Sequence, residues 1–321
     1  MNKQRESKSI GVVYLVLLLG NIIVCAVGYG LKGIGYGIST TLLTFICELF
    51  ILGPVLIYLR AGKEKITESL GFHKIKISTI LLTVLLTIAV TPIYIFANVL
   101  SQIFVSNIMV QNSGDMIEGA ILSTMLVTSV MAPLFEEIAF RGFFYNKLRD
   151  RSSVLKAAII SAVLFGLMHL NLNQFCYAVV LGFVFALADQ ASGSIWTSVI
   201  MHFLINVVNV GLILLSTLAL REQNVDLAQA QEAARIEPGA MLTSLAVLGG
   251  LSIICVFIVW FLLKAIARNQ GNLDSFKAAL ARKKTIESEH VKMDRCVLNI
   301  PMLTSIFVGI AAMAIFQFTV F

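Results

Sequence analysis

The sequence predicts an all-α protein, a polytopic transmembrane bundle of about nine helices with a cytoplasmic N-terminus. Of its 321 residues, 58% are hydrophobic and 13% are charged, whereas soluble domains are about 45–50% apolar and about 25% charged. The apolar residues form runs long enough to cross a hydrocarbon core of about 30 Å. We therefore expect an integral, multi-pass membrane protein, in the plasma membrane if the source is bacterial.

Each predicted span is a run of about 17 to 27 residues that is almost free of charge. The nine runs are Ile10 to Tyr29, Ser39 to Tyr58, Thr79 to Leu100, Ala120 to Tyr145, Val154 to Leu170, Phe175 to Ala191, Ile195 to Leu218, Met241 to Ala267 and Ile300 to Phe321. The first run follows a basic N-terminus and is interpreted as a signal anchor.

The basic residues between the spans set the predicted orientation. They cluster after the second, fourth and eighth spans, whereas the connections after spans one, three and five contain only Lys32. By the positive-inside rule, the N-terminus is cytoplasmic and the C-terminus lies outside. The acidic segment Arg221 to Gly239 is expected to be an outer surface helix, and the basic segment Gly271 to His290 is expected to lie on the inner leaflet. No pattern of basic and aromatic residues indicates a nucleic-acid partner.

Three ionisable residues interrupt the fourth span within the sequence APLFEEIAFRG. On a helix, Glu137 and Arg141 are four residues apart and share one face, while Glu136 points about 100° away. A carboxylate beside a guanidinium is held in place, so Glu136 is the better candidate for a general base. The alternative is a structural ion pair between Glu137 and Arg141, with Glu136 facing a water-filled crevice.

Polar residues also occur in two later spans. His169 ends the fifth span, and His202 and Asn206 lie four residues apart on one face of the seventh. Each histidine alone is more simply explained by a hydrogen bond between helices. Together with the acidic pair, however, they supply a base, a second group to hold water and donors for an oxyanion, as amide hydrolysis requires. Glu48, in the second span, is interpreted as a helix-packing partner.

The three motifs, EExxxR at Glu136, FxxxH ending at His169 and HxxxN at His202, resemble those of the CAAX prenyl protease and bacteriocin-processing family of intramembrane endopeptidases. The resemblance covers roughly Leu122 to Val210. It implies that Glu136 and His169 activate water, that His202 and Asn206 form the oxyanion site, and that Glu137 and Arg141 hold the site together. It also implies a site that opens toward the cytoplasmic leaflet. Eukaryotic and archaeal members of the family remove a tripeptide after a prenylated cysteine.

These expectations divide the chain into N-terminal helices (1–118), a catalytic core (119–218) and C-terminal helices with an outer-side and a basic cytoplasmic connection (219–321). The expected substrate is a membrane-bound, prenylated or otherwise lipidated peptide, and the lipid bilayer is the other expected partner. Two other classes stay open: a non-catalytic membrane scaffold or regulator, and a proton-coupled transporter.

The sequence indicates no cofactor site, and it leaves the question of a metal open. Two imidazoles and two carboxylates could bind zinc, for which the candidate ligands are Glu136, His169 and His202. If Glu137 is committed to Arg141, and if His202 pairs with Asn206, only two ligands remain. Water activation without a metal is therefore slightly favoured.

Overall fold

The computed structural model describes residues 3–111, 113–114, 121–225, 238–281 and 297–319, and this part of the chain contains helices and no strands. The predicted all-α, polytopic fold is confirmed. Ten helices of eight or more residues are described: α1 (Lys3–Gly33), α2 (Thr40–Ala61), α3 (Ile77–Ser101), α4 (Ile121–Arg149), α5 (Val154–Met168), α6 (Leu172–Ser192), α7 (Trp196–Glu222), α8 (Pro238–Gln270), α9 (Leu273–Ala281) and α10 (Ile300–Thr319). Single helical turns also occur at Ile66–Ser69 and Ile108–Gln111.

Eight of the described helices are long and apolar enough to cross a membrane, against nine predicted spans. The exception is α5, which has 15 residues. At 1.5 Å per residue it measures about 22 Å, which is shorter than a hydrocarbon core of about 30 Å. The predicted fifth span is therefore a helix that ends inside the bundle.

The turn between α5 and α6 explains why α5 can end there. Leu170 takes a left-handed conformation with φ of 57°, and Asn171 and Asn173 are buried. The Asn173 amide donates hydrogen bonds to Ser101 Oγ at 2.8 Å and to Asn98 Oδ1 at 3.2 Å. A polar turn is tolerated at this depth because neighbouring helices satisfy its hydrogen bonds.

The geometry of α4 changes along its length. Two π-helical stretches, Leu126–Met131 and Ile138–Tyr145, flank an α-helical segment, Ala132–Glu137. Pro133 lies just after the first stretch and has no N–H to donate, so the regular bonding pattern is interrupted there. π-Helical stretches of this kind often occur at functional sites.

Contacts between connections define two ends of the bundle. At one end, Lys147 pairs with Glu64 at 2.6 Å, Lys76 bonds the carbonyl of Asn269, and Asn272 bonds that of Gln190 at 2.9 Å. We call this the basic end. At the other end, which we call the opposite end, Lys32 donates to Thr40 Oγ1 at 2.9 Å, and the hydroxyl groups of Thr41 and Thr124 lie 2.8 Å apart.

Aromatic residues on one side of α4 fix its position against α1. Phe140, Phe143 and Phe144 are buried, and Tyr14 of α1 makes edge-to-face contacts with Phe140 and Phe144 at centroid distances of 6.4 and 5.5 Å. The Tyr14 hydroxyl donates to the carbonyl of Leu164 on α5 at 2.7 Å. Tyr14 therefore joins α1 to both α4 and α5.

Two predicted surface segments lie partly outside the described residues. Residues 226–237 of the expected outer helix and 282–296, which include most of the expected inner-leaflet segment, fall in the gaps. The described start of the inner segment is α9. Its Phe276 is buried and lies 6.0 Å, between centroids, from Trp260 of α8, so this part packs against the protein.

Candidate active site

A buried chain of three residues links α4 to α7. Arg141 Nε lies 3.2 Å from Glu137 Oε2, which is the ion pair predicted from their spacing. The other oxygen of this carboxylate, Oε1, is 2.8 Å from His202 Nδ1. Because a carboxylate accepts hydrogen bonds, Nδ1 carries the proton and donates it to Glu137. Glu137 therefore fixes the orientation of the His202 ring.

Two phenylalanine rings enclose the Arg141 guanidinium. Its central carbon lies 4.3 Å from the ring centroid of Phe165 and 5.2 Å from that of Phe185. Such cation–π contacts favour a charged group that has left water. Gly182 of α6 leaves room for Arg141, because an added Cβ would lie only 2.8 Å from Nη2. Phe165, which begins the FxxxH motif, thus helps to hold Arg141.

Glu136 has different surroundings from Glu137. Its Oε2 lies 3.6 Å from His202 Nε2, and its side chain lines an internal cavity of about 540 Å³. Glu137 and Arg141 do not line this cavity, while His169, His202 and Asn206 do. Of the two adjacent acids, only Glu136 is positioned to meet a ligand in this cavity.

His169 is the residue after the last turn of α5. Its Nδ1 lies 2.9 Å from the carbonyl oxygen of Phe165, and its ring contacts that of Phe165 at a centroid distance of 5.0 Å. A carbonyl only accepts, so Nδ1 carries the proton and Nε2 keeps its lone pair. His169 thus offers a hydrogen-bond acceptor beside the cavity.

Asn206 and His202, the two residues predicted to form the oxyanion site, both bond α4 in this structure. Asn206 Nδ2 donates to the carbonyl of Thr128 at 2.9 Å, and His202 Nδ1 bonds Glu137. Their role at an oxyanion stays a prediction. The amide nitrogen has two hydrogens, so one is left for a ligand.

Sequence reasoning missed Glu48. This residue of α2 is 3% exposed and lines the same cavity as Glu136. Its interpretation as a helix-packing partner stays a prediction. Glu136 lies 88 positions away on another helix, so no local spacing could have revealed that the two acids share a cavity. The only available signal was an acid within an apolar span.

The cavity extends to the opposite end of the bundle. Its lining there includes Lys32 and Thr40 between α1 and α2, Asn98 and Asn107 near the end of α3, and Thr124 near the start of α4. If the basic end is cytoplasmic, as its charges indicate, the described lining of this cavity leads away from the cytoplasmic leaflet, toward which the family resemblance implies access.

The candidate zinc ligands do not form a metal site in this structure. Among the described residues, no group of three His, Cys, Asp or Glu side chains has an arrangement that could hold a metal ion. His202 Nδ1 donates to Glu137 and His169 Nδ1 donates to a backbone carbonyl, so Nε2 is the nitrogen that each ring can present to a ligand.

The fold and the site together define a polytopic helical membrane protein with a buried cluster of glutamate and histidine residues. Residues 118–208 match the sequence profile of the family described as type II CAAX prenyl endopeptidase, Rce1-like. The family resemblance inferred from the three motifs is confirmed over this segment, which contains all six predicted site residues.

A curated relative supports the same assignment. Over 82 residues the chain is 30% identical to "Putative membrane peptidase YdiL" of Bacillus subtilis (strain 168). This similarity covers 26% of the chain and 34% of the relative, so the chain spans about a third of the length of the curated protein that it matches. No solved structure matches the chain.

Proposed function

We propose that the protein is an intramembrane endopeptidase that hydrolyses a peptide bond in a membrane-bound or lipidated peptide. One observation carries this proposal: Glu136 lines a cavity while its neighbour Glu137 is held by both Arg141 and His202. Two adjacent acids therefore have separate tasks. The match to a prenyl endopeptidase family and the name of the relative support a peptidase.

In the proposed first step, Glu136 and His169 hold a water molecule in the cavity. Nε2 of His169 accepts a hydrogen bond from this water, and Glu136 takes a proton from it as the oxygen attacks the peptide carbonyl carbon. General-base catalysis of this kind typically contributes about 10²- to 10⁴-fold to the rate. The carbonyl oxygen then carries the negative charge.

The second step places donors at that oxygen. Asn206 offers its remaining N–H, and His202, with a proton on each nitrogen, donates from Nε2. The intermediate collapses when the carbon–nitrogen bond breaks and Glu136 returns its proton to the leaving amine. The products are a carboxylic acid and an amine, and Glu136 is again ionised.

The direct test is mass spectrometry of peptides from cells with and without the protein. We expect fragments that appear only when the protein is present and that share one type of cleavage position. If the two peptide sets are the same, the endopeptidase proposal is wrong and a scaffold function becomes the better explanation.

We further propose that hydrolysis needs no tightly bound metal. The expected result is full activity after treatment of the purified protein with a chelator, with far less than one zinc per chain by elemental analysis. Loss of activity on chelation that zinc restores, with one zinc per chain, would contradict this proposal. The candidate ligands to substitute would then be Glu136, His169 and His202.

One observation favours the transporter alternative. A second pocket of about 430 Å³ enters from the basic end and reaches Arg141, and the chain Arg141–Glu137–His202 connects this residue to the lining of the larger cavity. A transporter would open the two cavities in turn. Proton flux through purified protein in vesicles, measured with a pH-sensitive dye, distinguishes the two functions, because an endopeptidase should cleave peptides without moving protons.

A further inference from the structure

We infer that the substrate reaches Glu136 from the extracytoplasmic face, so that the enzyme acts on peptides presented outside the cytoplasm. This inference rests on the proposed function and adds the side from which the substrate comes. Three features support it: the charge of the connections, the helix ends that line the cavity, and the chemistry of that lining.

The charge of the connections orients the bundle strongly. Almost all basic residues outside the spans belong to the N-terminus or to connections at the basic end, and those at the opposite end contain only Lys32, Arg221 and Arg235. Short connections rich in Lys and Arg stay in the cytoplasm. The opposite end therefore faces outward.

The short helix α5 does not change this orientation. α5 begins at the basic end, ends at His169 inside the bundle, and is followed by α6, which returns to the basic end, where the Gln190 carbonyl bonds Asn272. Counted as two spans or as one re-entrant hairpin, the pair brings the chain back to the same side. α7 starts from the cytoplasm in both cases.

The helix ends that line the cavity all belong to the outward side. Tyr29 and Lys32 come from the end of α1, Thr41 from the start of α2, Asn98 from the end of α3, and Ile213 from the second half of α7. None of the basic connections contributes a lining residue. The described lining of the cavity therefore runs from Glu136 toward the outer face.

The lining of the cavity suits an uncharged chain with polar and apolar groups. Apart from Lys32 at the outer rim, its charged or imidazole side chains are Glu48, Glu136, His169 and His202. The remaining polar lining is mostly amide and hydroxyl groups, including Asn98, Asn107, Asn209, Thr44 and Thr128, among aliphatic residues. Neutral donors and acceptors of this kind match a peptide backbone, and a volume of about 540 Å³ is typical of ligand pockets.

Cysteine labelling tests the side of access without requiring activity. Three positions are compared in a cysteine-free background: Thr40→Cys at the rim, native Cys47 restored beside Glu48, and Ser275→Cys in the basic-end pocket. Leu49→Cys, on the same helix but 47% exposed and facing lipid, is the matched control for Cys47. The probe is a membrane-impermeant maleimide, applied to intact and to permeabilised cells.

The expected result is labelling of Thr40→Cys and Cys47 in intact cells, labelling of Ser275→Cys only after permeabilisation, and little labelling of Leu49→Cys. The reverse pattern for Thr40→Cys and Ser275→Cys would overturn the inference. Labelling at Thr40→Cys but not at Cys47 would also overturn it, because the cavity would then be closed to the outside.

A second measurement separates this inference from the proposed function. Maleimide treatment of intact cells that carry only Cys47 should reduce the amount of the fragments that depend on Glu136, whereas cells with only Leu49→Cys should keep them. If no such fragment exists in any compartment, the endopeptidase proposal and the peptide substrate fail together, and the labelling still reports the side of the cavity. If the fragments persist despite labelled Cys47, access from outside is wrong and the proteolysis stands.

Discussion

The two cavities of the bundle differ in the charges that line them. The basic-end pocket has eight charged or imidazole side chains in its lining: Glu64, Glu68, His73, Arg141, Lys147, Arg149, Asp150 and Asp189. The larger cavity toward the opposite end has five, which are Lys32 near the end of α1 and Glu48, Glu136, His169 and His202 deeper in the bundle. Charges near the membrane surface are satisfied by water and by partners, whereas a small group of them deep in a bundle is costly and indicates function.

The first prediction compares the same substitution in both cavities. Glu136→Gln removes the proposed base while keeping the shape of the side chain, so peptide cleavage should fall about 10²- to 10⁴-fold. Glu68→Gln in the basic-end pocket should leave cleavage unchanged, because Glu68 is exposed and pairs only with Lys65 among the contacts described here. Cleavage rates of purified proteins, matched for the amount of folded material, provide the measurement. Normal cleavage by Glu136→Gln would rule out its role.

The second prediction concerns the arginines of the two regions. Arg141→Ala leaves Glu137 as a buried charge with only His202 beside it, and breaking a buried pair typically costs about 3–5 kcal/mol. Far less folded protein should be recovered. Arg149→Ala, which removes a hydrogen bond to Gln190 in the basic-end pocket, should cost about 1 kcal/mol. Thermal denaturation in detergent measures both, and equal losses would contradict the difference between the regions.

The third prediction tests Glu48 as a positioning residue for Glu136. Glu48 lines the same cavity as Glu136, and we expect its protonated form to donate a hydrogen bond to the Glu136 carboxylate. A hydrogen bond to a charged group is worth roughly 1.5–3 kcal/mol, so Glu48→Ala should lower cleavage by about 10- to 100-fold. Glu48→Gln keeps a hydrogen-bond donor and should recover most of this loss. If Glu48 only packs helices, Glu48→Ala should instead reduce the melting temperature and leave the rate per folded molecule unchanged.

The smallest effect is expected at the Glu64–Lys147 ion pair. The two side chains are 23% and 13% exposed, and the contact is 2.6 Å long. Partly exposed pairs are worth about 0–1 kcal/mol and are screened by salt. Lys147→Met should therefore change neither the cleavage rate nor the melting temperature by a large amount. A strong loss of activity would show that the basic-end pocket takes part in the reaction.

The sequence was sufficient for features that depend on neighbouring residues. Apolar runs located the spans because each must cover a fixed thickness, and the four-residue spacing placed Glu137 beside Arg141. The short length of α5 was harder to predict from the sequence, because α5 ends at a buried turn near Asn171 that depends on partners from α3. Features that depend on contacts between distant helices were not predictable in this way.

Two pairs illustrate this limit. Glu48 shares a cavity with Glu136 only because α2 packs against α4, and His202 bonds Glu137 because α7 packs against α4. Both pairs join residues more than 60 positions apart, and a helix-face argument covers only a few turns. The side to which the cavity opens was also hidden, since it depends on which helix ends separate.

The π-helical stretch before Pro133 bears on how this chain can be aligned and engineered. Leu126–Met131 contains a wider turn than an α-helix of the same residues would. Deleting one residue there would allow regular α-helical bonding with little change in the direction of Glu136 and Glu137, because a π-helical turn holds about one residue more than an α-helical turn. A one-residue alignment gap within 126–131 is therefore compatible with the same site, whereas a gap within Ala132–Glu137 would place the acid pair out of phase with α7.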